Sequence, residues 1–227
     1  MAAKARPIAR PGKFRVLLVD DHPIMREGFV HLINHEPDLL VCGEAGTVGR
    51  ALEAMAALKP DLMIVDISLG GASGLELIKD IHARQPRQPI LALSMHDESL
   101  YAERALRAGA RGYVMKQAPT ATVMQAIRDV LRGAVYVSEQ IRGHMLGKVV
   151  AGANRAAASD LECLSDRELE VFQLIGRGRR TRQIAEQLHL SVKTVETHRA
   201  HIKEKLGFKE AGEMVRFAID WVAQEQS

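Results

Sequence analysis

Four short apolar runs in this chain each break off at a polar residue: FRVLLV at Asp20-Asp21, LMIV at Asp66, ILAL at Ser94 and YVM at Lys116. Runs this short and continuous read as strands covered on both faces, because a strand with one wet face alternates apolar and polar residues instead. Between them the apolar residues fall at helical spacing. The pattern predicts strands near 14–19, 39–44, 61–66, 89–94 and 111–115, and helices near 23–35, 47–58, 74–84, 98–107 and 119–132. Strict alternation of five such units implies a doubly wound α/β domain around a five-stranded, mostly parallel sheet, whose ligands sit beyond the carboxyl ends of the strands. Three carboxylates, a hydroxyl and an amine fall at those ends.

That set of groups points to phosphoryl chemistry. A carboxylate attacks phosphorus poorly unless a cation neutralises its repulsion with the phosphoryl oxygens, and Mg2+ does so from an oxygen-rich shell of one or two carboxylates, waters and the phosphate itself. Asp20, Asp21 and Asp66 supply the acidic part, Lys116 an opposing charge and Ser94 a hydrogen-bond donor. Taken singly, an Asp at a strand end commonly caps the next helix and a Lys or Ser there is usually surface. The shared placement at four strand ends is what argues for a site.

At 227 residues the chain has room for two domains, each burying its own core. Residues 1–13 read as a basic flexible N-terminal tail, 14–132 as the α/β domain, 133–160 as a linker in which SEQIRGHML forms a short helix, and 161–227 as an all-α domain. No apolar stretch approaches the roughly 18 residues that cross a bilayer, and the basic start is not followed by a signal-type segment, so a cytoplasmic protein without membrane contact is expected. The two cysteines, Cys42 and Cys163, fall in different domains and read as reduced packing residues. Net charge is only +3, but Arg177 to Lys209 holds nine Lys/Arg against three Glu, an electrostatic footprint that suits nucleic acid and equally a solvated surface.

The segments VDDH (19–22), VDISLGGASGLEL (65–77), LSMHDE (93–98) and GYVMKQA (112–118) resemble, in order, the motifs of response-regulator receiver domains, which have a flavodoxin-like fold. The resemblance implies that Asp66 is the phosphoacceptor. It implies Mg2+ held by Asp66, by Asp21 directly, by Asp20 through water and by the backbone carbonyl of Ser68. Ser94 becomes the switch hydroxyl, Tyr113 the switch aromatic that turns inward, and Lys116 the phosphate-pairing lysine. The chain departs from the common pattern at Gly70 and Gln117, where many receivers carry proline, and at Met95, where many carry something smaller; none of these removes a reacting group.

In the all-α region, Ser165 and Glu168 form a capping box with Leu164 and Leu169 as a hydrophobic staple, and Gly176 and Gly178 end the helix. A second helix covers Thr181–Leu188, Ser191 caps a third that continues to Leu206, and a fourth spans 210–224. On the third, Val195, His198, Ile202 and Leu206 share one side, leaving Lys193, Thr197, Ala200 and Glu204 on the other with Glu196 beside them. LSDRELEVFQLIGRG followed by QIAEQLHLSVKTVETHRAHIKEKLG resembles the LuxR-type helix-turn-helix, and with the receiver the whole resembles the NarL/FixJ family of transcriptional response regulators. That resemblance implies double-stranded DNA and a sensor histidine kinase as partners. Lys193, Glu196, Thr197 and Ala200 match base-facing positions, and Thr194, Arg199, Lys203 and Lys205 phosphate or flanking contacts. Arg179 and Arg180 add phosphate affinity, with Thr181 taking the helix cap. The same resemblance implies that Val215, Ala218, Ile219 and Val222 on the last helix pair two copies into a homodimer on an inverted repeat.

Two rivals stand beside this reading. A regulator can keep a receiver only for dimerisation or partner contact, without phosphorylation. A magnesium-dependent phosphotransferase or phosphatase needs an acid/base two residues after the nucleophile, and Ser68 stands there. A dinucleotide site lacks its Gly-rich turn after the first strand.

Overall fold

The computed structural model describes residues 12–69, 72–95, 98–150 and 160–225, in two compact units that divide between Ala151 and Gly152. Most of the expected tail, Gly70 and the Ala-rich tract after Gly152 lie outside the described residues. The first unit runs β1 (Phe14–Val19), α1 (Pro23–Asn34), β2 (Leu39–Ala45), α2 (Val48–Leu58), β3 (Leu62–Asp66), β4 (Ser68–Leu69), β5 (Ala72–Ser73), α3 (Gly74–Arg84), β6 (Ile90–Ser94), α4 (Glu98–Ala108), β7 (Gly112–Met115), α5 (Thr120–Leu131) and α6 (Glu139–Val150). Five strands form one parallel sheet in the order β2-β1-β3-β6-β7.

Both faces of that sheet are covered, which is why its strands are continuously apolar. Val16, Leu18, Ile64, Leu91 and Leu93 meet Phe29 and Ile33 of α1 and Val123, Met124 and Ile127 of α5. The alternate residues Leu17, Met63, Val65 and Ala92 point the other way and are also fully buried. On that side α3 packs between α2 and α4. Pro23 opens α1, where its missing N–H costs nothing, and the Thr47 hydroxyl accepts from the Arg50 N–H to cap α2.

Two features differ from the sequence expectation. Residues 68–73, read as loop, include a small antiparallel pair, Ser68 with Ser73 and Leu69 with Ala72. The segment from 133 onward, read as linker, belongs to the first unit. Tyr136 forms a parallel bridge to Gly112 on the free edge of β7, Ser138 starts α6, and that helix reaches Val150 with Ile141 buried.

The second unit has a short 3-10 turn (Asp160–Cys163) and then α7 (Asp166–Gly176), α8 (Thr181–Gln187), α9 (Val192–Lys205) and α10 (Ala211–Glu225). The capping box of α7 is present on both sides: Ser165 N–H donates to Glu168 Oε2 at 2.7 Å and Glu168 N–H to Ser165 Oγ at 3.3 Å. Gly178 adopts a left-handed φ of 74° that closes the helix by the Arg179 N–H to Leu174 carbonyl bond. Leu169, Phe172, Ile184, Val195, Ile202, Met214 and Ala218 are buried, and Phe172 packs against the rings of Phe217 and Trp221. Cys163 is exposed rather than packed. Among the described residues no helix is long and apolar enough to cross a membrane.

Candidate functional site

The acidic site is assembled at the carboxyl ends of β1, β3, β6 and β7. The Asp20 N–H still donates to Ala45, so the sheet ladder delivers this residue fully buried, and its Oδ1 accepts from the His22 N–H at 2.9 Å. Asp66, the last residue of β3, is 2% exposed; its Oδ1 accepts from the Ser68 N–H at 3.1 Å. Lys116 follows β7 directly, held by its N–H to the Ser94 carbonyl at 2.7 Å. Its Nζ lies between Asp20 Oδ2 at 2.6 Å and Asp66 Oδ2 at 2.7 Å. Ser94 is fully buried at the end of β6.

Burial dominates the electrostatics. It pushes Asp66 up to about 6, helped by neighbouring Asp20 and opposed by Lys116. For Lys116 burial alone would lower the pKa, but the facing carboxylates Asp66 and Asp20 outweigh it and hold the amine charged, above its ordinary value. One ammonium between carboxylates leaves an acidic excess. Asp20, Asp21, His22 and Asp66 each present a ligand atom within 4.8 Å of the others. The three aspartates give the hard oxygen donors that Mg2+ takes, so the residues present fit that ion.

Tyr113 is 1% exposed, so it already lies inside the fold, where it lines a cavity of about 240 Å³ with Glu98, Tyr136 and Ser138. Met95 is half-exposed.

In the second unit, Lys193, Glu196, Thr197 and Ala200 are all exposed on α9, and Val195 and Ile202 are buried beneath them. Thr194 is engaged at the cap, its N–H donating to Ser191 Oγ at 3.0 Å. Arg199 is half-buried, and burial lowers its pKa against the pull of Glu196. Lys203 Nζ donates to the Lys209 carbonyl. Lys205 is tied to Glu168 Oε2 at 2.6 Å, joining α9 to α7. Two expectations need correction. Thr181 does not cap α8: the Gln183 side chain accepts from the Arg180 N–H at 2.9 Å, leaving Arg179 and Arg180 exposed. Ala218 is fully buried, and its carbonyl is 2.3 Å from where a Cβ on Gly176 would stand, so it packs within its own unit. Val222 also packs near Gly176, Val215 is half-buried and Ile219 is exposed.

Known proteins share both halves. The signature of the response regulator receiver domain matches residues 16–128, and that of the bacterial regulatory proteins of the luxR family matches residues 162–218. The oxygen regulatory protein NreC of Staphylococcus aureus strain JH9 is 36% identical over 209 residues, spanning 90% of this chain and 96% of NreC. The chain belongs to the NarL/FixJ family of response regulators. A two-component response regulator of the LuxR family from Aurantimonas sp. SI85-9A1 is 36% identical with a TM-score of 0.57, over 61% of this response regulator and 99% of that chain. RcsB from Salmonella enterica serovar Typhimurium, solved bound to promoter rprA in the presence of phosphomimetic BeF3-, is 24% identical and shares the fold at a TM-score of 0.60, over 91% and 98% of the two chains.

Sequence reasoning missed three residues that shape the response regulator's acid site. Arg26 Nη1 donates to the Asp20 carbonyl at 2.6 Å while Nε pairs with Glu44, bracing the turn after β1. His22 places Nδ1 2.9 Å from Asp21 Oδ1. Gly74 lets α3 begin against β3: a Cβ there would lie 1.9 Å from the Asp66 carbonyl oxygen. Only its position as the first residue of an apolar helix hinted at that role.

Proposed function

We propose that this regulator is switched by a phosphoryl group that Asp66 takes from a sensor histidine kinase in the cytoplasm, and that its C-terminal domain then binds an inverted DNA repeat as a homodimer. The observation that carries the reading is Lys116 Nζ seated between Asp20 and Asp66 at the strand ends, with the Ser68 N–H on the other Asp66 oxygen. An Asp66 oxygen forms the bond to phosphorus as the bond from phosphorus to the donor imidazole breaks, the electron pair staying on that nitrogen. Lys116 then pairs with a phosphoryl oxygen, and the Ser94 hydroxyl donates to another. Asp21, Asp66 and the Ser68 carbonyl would hold Mg2+, with Asp20 through water; when bound, the ion supplies the positive charge that lets a carboxylate approach a phosphoryl group. With no acid/base at Ser68, the product is a lasting switch and not a turnover intermediate.

On α9, Lys193, Glu196, Thr197 and Ala200 face the bases in this reading, with Arg199, Arg179 and Arg180 on phosphates. The half-exposed Ile219 and its neighbours Val215 and Val222 pair the two copies. RcsB bound to its promoter gives the same fold a DNA-bound precedent. One observation favours the rival without phosphorylation: Tyr113 is already buried, so phosphate is not needed to turn it inward. Measuring acyl phosphate on wild type and Asp66→Asn, with selection of DNA from random pools with and without phosphodonor, separates the two. Full phosphodonor-dependent DNA binding by Asp66→Asn would sink the proposal.

A further inference from the structure

The two side chains that would meet phosphoryl oxygens each lead, within a few residues, to the same short segment of chain. Lys116 lies three residues beyond Tyr113 on the β7 strand, and the Tyr113 N–H donates to the Tyr136 carbonyl at 3.0 Å. Ser94 lies four residues before Glu98, the first residue of α4, whose Oε1 accepts from the Ser138 hydroxyl at 2.5 Å. Residues 136–138 are thus fastened at one end to β7 and at the other to α4.

The fastening is closely built. The Tyr136 N–H donates back to the Arg111 carbonyl at 2.9 Å, so the backbone is pinned on both sides of Gly112. A Cβ on Gly112 would stand 3.0 Å from the Tyr136 carbonyl oxygen and 2.9 Å from Leu91 Cδ1, so glycine is what admits the segment to the edge. Ser138 has two tasks: its Oγ donates to Glu98 and accepts from the Ile141 N–H at 3.2 Å, which caps α6. The rings of Tyr113 and Tyr136 line one cavity with Glu98 and Ser138. Along the chain, α6 is the last element before the second unit.

We infer that residues 136–138 are a clasp that passes the state of the acid site to α6, with Tyr136 and Ser138 as positioning residues for the output. The inference rests on the phosphorylation reading above. A Lys116 that leaves Asp20 and Asp66 for a phosphoryl oxygen shifts the strand carrying Tyr113 against α4, to which Ser138 is fastened through Glu98. That movement loads the hydrogen bonds of the clasp, and the start of α6 follows. Because one strand edge and one helix end act on three consecutive residues, a displacement of about an ångström between them suffices to break the 2.5 Å Ser138 bond.

The test uses the full chain with Mg2+ and a small phosphodonor, and reads acyl phosphate, amide hydrogen exchange and affinity for a selected DNA. In wild type, exchange at the Tyr136 and Ile141 amides should change at least fivefold on phosphorylation. Ser138→Ala and Glu98→Ala should keep acyl phosphate within twofold of wild type and lose most of the phosphodonor-dependent gain in DNA affinity. Glu98→Gln, which keeps an accepting oxygen, should retain it. If Ser138→Ala and Glu98→Ala are phosphorylated and keep the full gain, the clasp does not couple. Absence of acyl phosphate in wild type removes the phosphorylation reading itself, and the inference with it.

Discussion

Alanine at Gly74 and alanine at Gly28 should move stability in opposite directions. Both glycines are helical, and in open space Gly→Ala in a helix interior gains roughly 0.5–1 kcal/mol from backbone entropy and propensity. Gly28 has that open space, with nothing within 4 Å of a new Cβ. At Gly74 the Cβ would stand 1.9 Å from the Asp66 carbonyl oxygen and 2.7 Å from Ile67 Cα, both backbone atoms that cannot rotate aside. The amino end of α3 must therefore retreat from β3 by more than an ångström, straining the 2.6 Å bond from the Gly74 N–H to the Ile67 carbonyl. Overpacking of a buried site costs about 1–3 kcal/mol, and contact with two fixed atoms belongs at the upper end, leaving a net loss of about 2 kcal/mol. For a unit of this size that lowers Tm by roughly 4–8 °C, whereas Gly28→Ala raises it by about 1–4 °C. Thermal unfolding of the full chain by circular dichroism measures both. Because the retreat also displaces the Asp66 backbone, acyl phosphate formation should slow in Gly74→Ala alone. A Gly74→Ala protein that melts at or above the wild-type temperature would show that α3 does not rest on the phosphoacceptor strand.

Between its ordinary value of 3.8 and about 6, folded Asp66 keeps a proton that the unfolded chain gives up, so its contribution to stability is present at low pH and fades as pH rises through about 6. Without divalent cation, Asp66→Asn should accordingly stabilise the protein more at pH 7 than at pH 4; an equal effect at both would contradict the burial argument. Glu168 runs the other way: burial would raise its pKa, but Lys205 and the Ser165 N–H hold it below the ordinary value, so its stabilisation is present at neutral pH and is lost as pH falls through that depressed value. Glu168→Gln should cost about 2 kcal/mol at pH 7 and progressively less as pH falls below the ordinary carboxylate range, read by urea unfolding followed through Trp221. Glu196→Ala should change base preference more than affinity, since an acid beside DNA repels phosphates but accepts from a cytosine amino group. Uniform weakening across a selected DNA pool would remove Glu196 from the base-facing set.

Most of the fold was legible because the parallel sheet writes its burial directly into side-chain type, from Val16–Val19 through Leu62–Val65 to Ile90–Leu93. The acid site was legible for the same reason: Asp20, Asp66 and Lys116 interrupt those runs where the ladder ends. What was missed is held by backbone or depends on reach. The Tyr136 bridge uses main-chain groups and leaves no periodicity, so residues 133–138 read as linker. The charge of Lys205 is visible in the sequence, but its partner Glu168, 37 residues earlier, is not. Ala218 sits on the apolar stripe of α10, and spacing alone cannot tell the half facing α7 from the half facing outward. Gly176 is where the structure makes that distinction.

The bridge from Tyr136 to Gly112 also decides where the first unit can be cut. In the order β2-β1-β3-β6-β7 the last strand has an open flank, and an open flank offers N–H and C=O groups to any other chain. Tyr136 occupies its amino end, bridging to Gly112. A fragment ending at Arg132, where the helical pattern stops, would expose the edge of β7 and should self-associate on concentration. One ending after Val150 keeps Tyr136 on that edge and should remain monodisperse in size-exclusion chromatography, which makes residues 133–150 the difference between a soluble domain and an adhesive one.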